Sequence, residues 1–148
     1  MNERSVSVGK TLPMPAIALL PHRPPMLFVD RLLERYGDKA KGEVVMPDRG
    51  ICFDSDHKFP EFFIEVIAQT MAMANGYDAL CDGKNPNDGM LVGIDSFVFA
   101  HTAPPGALLH IVIEKSFEFG AVRIIHGEIF HGDVLLAQGD IKVWEDIG

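Results

Sequence analysis

Apolar and polar positions change their period into and out of one helical stretch along this chain, and those changes set out its elements. From Phe59 to Leu80, in FPEFFIEVIAQTMAMANGYDAL, the apolar residues fall on every side of a helical wheel: Phe62, Phe63, Ile64, Val66, Ile67, Ala68, Met71, Ala72, Met73 and Ala74. A helix patterned in this way is buried all round. Glu61, Glu65 and Gln69 nevertheless pass through it at i, i+4 and i+8 and share one face. Before this helix, Pro13 to Leu20 predicts one or two helical turns, ended by Pro21 and by Pro24-Pro25. Met26 to Val29 is apolar and compatible with a strand, leading into Asp30 to Tyr36; Gly37-Asp38 marks a turn, and Lys39 to Met46 alternates as a second strand. Pro47 to Lys58 is rich in turn residues. After Gly89 the period is two throughout. Strands are predicted over Met90 to His101, Ala107 to Glu118, Ala121 to Phe130 and Val134 to Trp144, with turns at Pro104-Pro105-Gly106, Gly120 and His131-Gly132-Asp133. The tight turns imply an antiparallel meander. Residues 1–12 read as a polar tail, and residues 13–148 as a single domain.

Two short strands, one long apolar helix and four long strands make an α+β layout in which a curved sheet wraps the helix, as in the hot-dog fold. The helix is about 30 Å long at 1.5 Å per residue. One sheet covers only part of such a rod, so two copies joined into a continuous sheet, a double hot-dog homodimer or a dimer of dimers, are expected.

Composition narrows the class. The chain has 148 residues, 47% of them hydrophobic, enough for one real core. Its net charge of −8 argues against nucleic acid as a partner. The apolar run within Phe62 to Ala74 is broken by Glu65 and Gln69 and is too short for a membrane span. The N-terminus shows no long apolar segment of the signal-peptide kind, and Cys52 and Cys81 have no metal-binding spacing. The expectation is a cytoplasmic protein with reduced thiols and neither metal nor cofactor.

The polar stripe of the helix carries the candidate chemistry. A carboxylate inside an apolar core costs several kcal/mol unless it is paired or protonated, so Glu65 needs a reason to be there. Three segments supply one by resemblance. Leu20 to Arg31, LPHRPPMLFVDR, resembles a segment of the hot-dog 3-hydroxyacyl-ACP dehydratases of bacterial fatty-acid synthesis. Glu65-Val66-Ile67-Ala68-Gln69 is similar to that family's E-A-x-A-Q helix motif, and Gly89 to Ile94 resembles the strand that follows. The likeness covers residues 13 to 144 and is closer still to a divergent subgroup found with aryl-polyene and related lipid clusters. One departure stands out. The family's G-H-F-P-x-x-P-x-x-P-G loop is contracted here to Asp56-His57-Lys58-Phe59-Pro60, with His57 eight positions ahead of Glu65.

The resemblance implies elimination of water from a 3-hydroxyacyl thioester carried on acyl carrier protein or CoA, giving a trans-2-enoyl thioester. That reaction needs a base for the C2 proton, a role that falls to His57 or to His22, since histidine titrates near neutral pH. It also needs an acid for the departing hydroxyl. Glu65 suits this role because desolvation favours the protonated carboxyl. Charge developing on the thioester oxygen calls for backbone donors, which the helix start offers at Glu61, Phe62 and Phe63 behind Pro60. The family likeness further implies that base and acid come from opposite subunits. Phe62, Phe63, Phe97, Phe99, Met71 and Met73 are candidates to line an acyl tunnel, and Gln69 to fix water or backbone. A basic rim for an acidic carrier is sought among Arg23, Arg31, Arg35, Lys39, Lys41 and Lys58. His101, His110, His126 and His131 lack ligand spacing and are read as structural or exposed. Two other classes remain open: an acyl thioesterase using Glu65 to activate water, and a non-catalytic acyl-binding domain.

Overall fold

A computed structural model of the chain describes residues 11–50, 60–85 and 89–146. The polar stretch 1–10 and the segment 51–59, with His57, Lys58 and Phe59, lie outside the described residues. The elements are β1 (Met14–Pro15), a 3-10 turn (Ala16–Ala18), β2 (Arg31–Tyr36), β3 (Lys39–Val45), α1 (Glu61–Cys81), β4 (Gly89–Phe99), β5 (Leu108–Phe119), β6 (Val122–His131) and β7 (Val134–Glu145). All strand pairs are antiparallel, in the spatial order β1-β2-β3-β5-β6-β7-β4. One long helix packed on this seven-stranded sheet is the α+β hot-dog fold expected.

The four long strands do not form one simple meander. β5, β6 and β7 do, but β4 pairs with β7 at the far edge while β5 takes the place beside β3. The helix explains this order. It touches β2, β3, β5, β6 and β7, so it lies across the sheet. At 1.5 Å per residue its 21 residues span about 31 Å. The four strand positions from β3 to β4 need roughly 19 Å. A chain entering the helix beside β3 is therefore delivered to the opposite edge.

Period-two alternation places the core. Leu109, Ile111 and Ile113 of β5, Ile125 and Ile129 of β6, and Ile141 of β7 face the helix and are buried. They meet Phe62, Val66, Ile67 and Met73, which are also fully buried. Two glycines let the layers close. Gly127 and Gly139 stand opposite each other on β6 and β7. A Cβ on Gly127 would lie 2.7 Å from the Ile67 side chain, and one on Gly139 would lie 2.6 Å from the Phe97 ring.

The strand before Gly37 starts later than the apolar pattern put it. Met26 to Val29 forms no strand; the strand is Arg31–Tyr36. The backbone of this stretch bonds instead to a helix side chain, Gln69, so the ladder with β3 starts only at Arg31. Similarly, Pro13 to Leu20 makes a two-residue bridge and a single 3-10 turn, tied down by the Ala16 N–H donating to Asp30 O at 2.9 Å.

Candidate active site

The segment from Leu19 to Val29 crosses the helix and is fastened to it at two heights. At the upper one, Gly76 allows the Leu19 carbonyl to approach the helix backbone; a Cβ there would come within 2.2 Å of that oxygen. At the lower one, Gln69, which is 1% exposed, binds the segment with its whole amide. Its Oε1 accepts from the Phe28 N–H at 2.8 Å and the Val29 N–H at 3.4 Å, while its Nε2 donates to Met26 O at 2.8 Å. Between the anchors, Arg23 Nη1 donates to Leu20 O and His22 O at 2.8 and 2.7 Å, which tightens the turn that carries His22.

This clamp encloses a cavity of about 340 Å³ between the segment, the helix, the start of β4 and the end of β7. That is within the size of small-molecule sites. His22, Glu65 and Gln69 all line it, together with Leu20, Met71 and Leu91 among others. Glu65 is half-buried and, among the described residues, forms no ion pair; its one polar contact is the Gln69 amide, which donates to Oε1 at 3.4 Å. His22 Nδ1 is buried and has no hydrogen-bond partner among the described residues. Buried polar atoms are nearly always paired, so an imidazole nitrogen without a partner among the described residues, on one cavity with a carboxylate that has no ion pair there, is the kind of site where a polar ligand group can bind. Together these groups can take a proton at one atom and give one at another inside a mostly apolar pocket.

The other sequence-derived candidates lie elsewhere. Glu61 is exposed in the first turn of α1, where the helix dipole favours an acid. Phe62 and Phe63 are buried and line a second cavity of about 220 Å³ with Phe99 and His101. Of the other tunnel candidates, Met71 lines the first cavity, whereas Met73 is core. His57 lies outside the described residues. The basic rim is partly neutralised. Arg31 pairs with Glu43, and Arg35 pairs with Asp78 at 2.6 Å. Arg23, by contrast, meets no carboxylate among the described residues. No cluster of histidine, cysteine or acid suited to a metal occurs among the described residues.

Two lining residues escaped the sequence reading. Asn75 and Glu145 meet in the same cavity, where Asn75 Nδ2 donates to Glu145 Oε2 at 2.6 Å. The helix stripe of Glu61, Glu65 and Gln69 could have been followed on to Asn75, but nothing local marks a glutamate at the end of the last strand as its partner.

A family model described as ApeP-like, ApeP dehydratase, matches residues 14–146. The chain belongs to the ApeP-like dehydratase family. Among curated relatives, the 3-hydroxyacyl-[acyl-carrier-protein] dehydratase FabZ of Natranaerobius thermophilus is 34% identical over 128 residues, which cover 83% of this chain and 89% of the relative. FabZ of Syntrophomonas wolfei is 32% identical over 139 residues, covering 87% and 83%. The dehydratase heterocomplex ApeI:P from Xenorhabdus doucetiae superposes with a TM-score of 0.76 at 20% identity, covering 90% of this chain and 91% of that one. A hypothetical thioesterase protein with coenzyme A from Streptococcus pneumoniae superposes at 0.61 with 7% identity, covering 78% and 84%, a likeness of fold alone. The sequence expectation of a hot-dog dehydratase is thus met for family, fold and reaction class. No helix among the described residues is long and apolar enough to cross a membrane.

Proposed function

We propose that this ApeP-like dehydratase eliminates water from a 3-hydroxyacyl thioester, with His22 as base and Glu65 as acid. The observation that carries this reading is the one cavity lined by both His22, whose Nδ1 has no partner among the described residues, and Glu65, which forms no ion pair among them. The imidazole takes the C2 proton, and the electron pair moves to form the C2–C3 double bond. The C3–O bond breaks as protonated Glu65 gives its proton to the departing hydroxyl, which leaves as water. The histidine then holds one proton and the carboxylate lacks one, and transfer between them or through solvent resets the pair. Gln69 is a positioning residue, fixing the His22 segment against the helix that carries Glu65.

Two features extend this reading to partners. Arg23 donates from Nη1 to backbone carbonyls, which leaves its other donors for the phosphate of a pantetheine-bearing carrier. β4 is an edge strand of 11 residues with Met90, Val92, Ile94 and Val98 each about half exposed. A long apolar edge is a template for another strand. Two copies paired along β4 bury it, and because Gly89, Met90 and Leu91 line the cavity, the partner strand comes to lie beside the site.

Incubation with 3-hydroxyacyl thioester and, in reverse, with 2-enoyl thioester tests the assignment. Glu65→Gln and His22→Ala are expected to lower kcat by at least about 100-fold, the usual worth of a general acid or base. Full dehydration by Glu65→Gln defeats the central assignment. Loss on His57→Ala but not on His22→Ala moves the base to His57. Free thiol in place of enoyl product points to a thioesterase, and neither product to an acyl-binding domain.

A further inference from the structure

Given the dehydratase reading above, on which this rests, we propose that the Arg123–Glu145–Asn75 network is the far wall of the acyl site and sets the longest chain accepted. Glu65, Ala68 and Gln69, Ala72 and Asn75 lie on one helix face, each three or four residues from the next turn's, and all of them line the one cavity. Asn75 therefore lies about 15 Å further along the helix axis than Glu65. The walls between them are apolar, made by Leu19, Leu20, Met71, Ala72 and Val143. The end is not.

There the Asn75 carboxamide donates to Glu145 Oε2 at 2.6 Å, and Glu145 Oε1 lies 3.5 Å from Arg123 Nε. Arg123 is 8% exposed and fixed in turn, with Nη1 donating to Gly120 O at 2.6 Å and Nη2 3.1 Å from Glu118 Oε2. The carboxylate is thus held from the helix on one side and from the β5–β6 turn on the other. Such a group does not swing aside for a ligand. A growing acyl chain gains from each methylene buried against the apolar walls, until its methyl end meets polar atoms to which it offers no hydrogen bond. Shape and polarity stop the chain at the same point.

The test is a homologous series of 3-hydroxyacyl pantetheine thioesters for turnover and of saturated acyl pantetheine thioethers for binding, on the full chain. Asn75→Ala removes the helix side of the wall and opens space past Asn75, and is expected to move the length limit upward, each further methylene that fits raising kcat/KM or affinity about fourfold. Asn75→Gln brings the wall forward and is expected to move the limit down. Ala72→Leu narrows the cavity one turn earlier with the network intact. It also lowers the limit, and it decides the matter should the Asn75 variants not fold. A wild-type length profile in Asn75→Ala, or in Ala72→Leu if that alone folds, overturns the wall. Thioether affinities that shift as expected without turnover in any form, wild type included, keep the wall and overturn the dehydratase reading. Turnover with unshifted profiles does the reverse.

Discussion

Replacing Gln69 with leucine tests the clamp on which the site depends. Leucine keeps the bulk and the helix propensity, so the change isolates the amide. The Phe28 N–H and the Met26 carbonyl, both held at 2.8 Å by Gln69, lose their partners beside a buried side chain. An orphaned buried group costs about 1–3 kcal/mol. Partial opening of the 22–28 segment to water relieves some of this, so the expected loss is about 3 kcal/mol. For a domain of this size that lowers Tm by roughly 6–12 °C. Because His22 lies between the two anchors, activity is expected to fall further than stability explains, under conditions where the variant remains folded. Gln69→Glu sharpens the test. The introduced carboxylate cannot donate to Met26 O and stands four residues from Glu65 on one helix face, so this variant is expected to be weakest at neutral pH and to recover on acidification as the new carboxyl gains a donor proton. Urea melts read by fluorescence, with initial rates alongside, supply both quantities. A Gln69→Leu midpoint within about 0.5 kcal/mol of wild type, the scatter of ordinary surface changes, refutes the clamp.

Three further outcomes follow from single contacts. Gly76→Ala places a Cβ 2.2 Å from Leu19 O, a clash against backbone that costs at least about 1–3 kcal/mol and displaces the His22 segment; a thermal melt at wild-type Tm contradicts it. Burial alone lowers the pKa of His126, but hydrogen bonds to Asp140 at 2.8 Å and Glu128 at 3.2 Å, with the charges of both, outweigh it and raise the pKa. That stability is fully present below the unfolded value near 6.5 and is lost as pH rises through the folded value; with a side chain 39% exposed it is a surface effect well under about 1 kcal/mol. His126→Gln should therefore lower Tm at about pH 5.5 and not at about pH 8.5, and equal shifts at both count against it. Val92→Lys puts a charge on the exposed β4 edge and is expected to halve the mass seen by light scattering; an unchanged mass removes β4 as the pairing edge.

The elements were largely legible in the sequence, and their arrangement was not. The helix predicted over 59–80 occupies Glu61–Cys81, and each of the four long strands falls within about two residues of its expected span. Both rest on periodicity, which is a local property. The miss at Met26–Val29 shows the limit. That stretch has the composition of a strand, but a glutamine 41 residues beyond Phe28 takes its hydrogen bonds, and no local pattern reports a distant competitor. The place of β4 is similar: its own sequence reads as a strand, while its neighbour depends on how far the helix carries the chain.

The site divides along the same line. The costly polar stripe through an apolar helix made Glu65 and Gln69 conspicuous, while His22 became a candidate only through the family resemblance of the LPHR segment. Only the folded chain puts His22 and Glu65 into one cavity, and only it draws in Asn75 and Glu145, which are 70 residues apart. It also sends Phe62 and Phe63, one helix turn from Glu65, to a different cavity. Side chains on one helix radiate in all directions, so nearness in sequence fixes the angle between them but not which gap in the sheet each one meets. The helix and the long strands were written in the sequence pattern, which also offered titratable candidates for the site. The tertiary structure decided which of those residues share a space, because that space is bounded by segments from both ends of the chain.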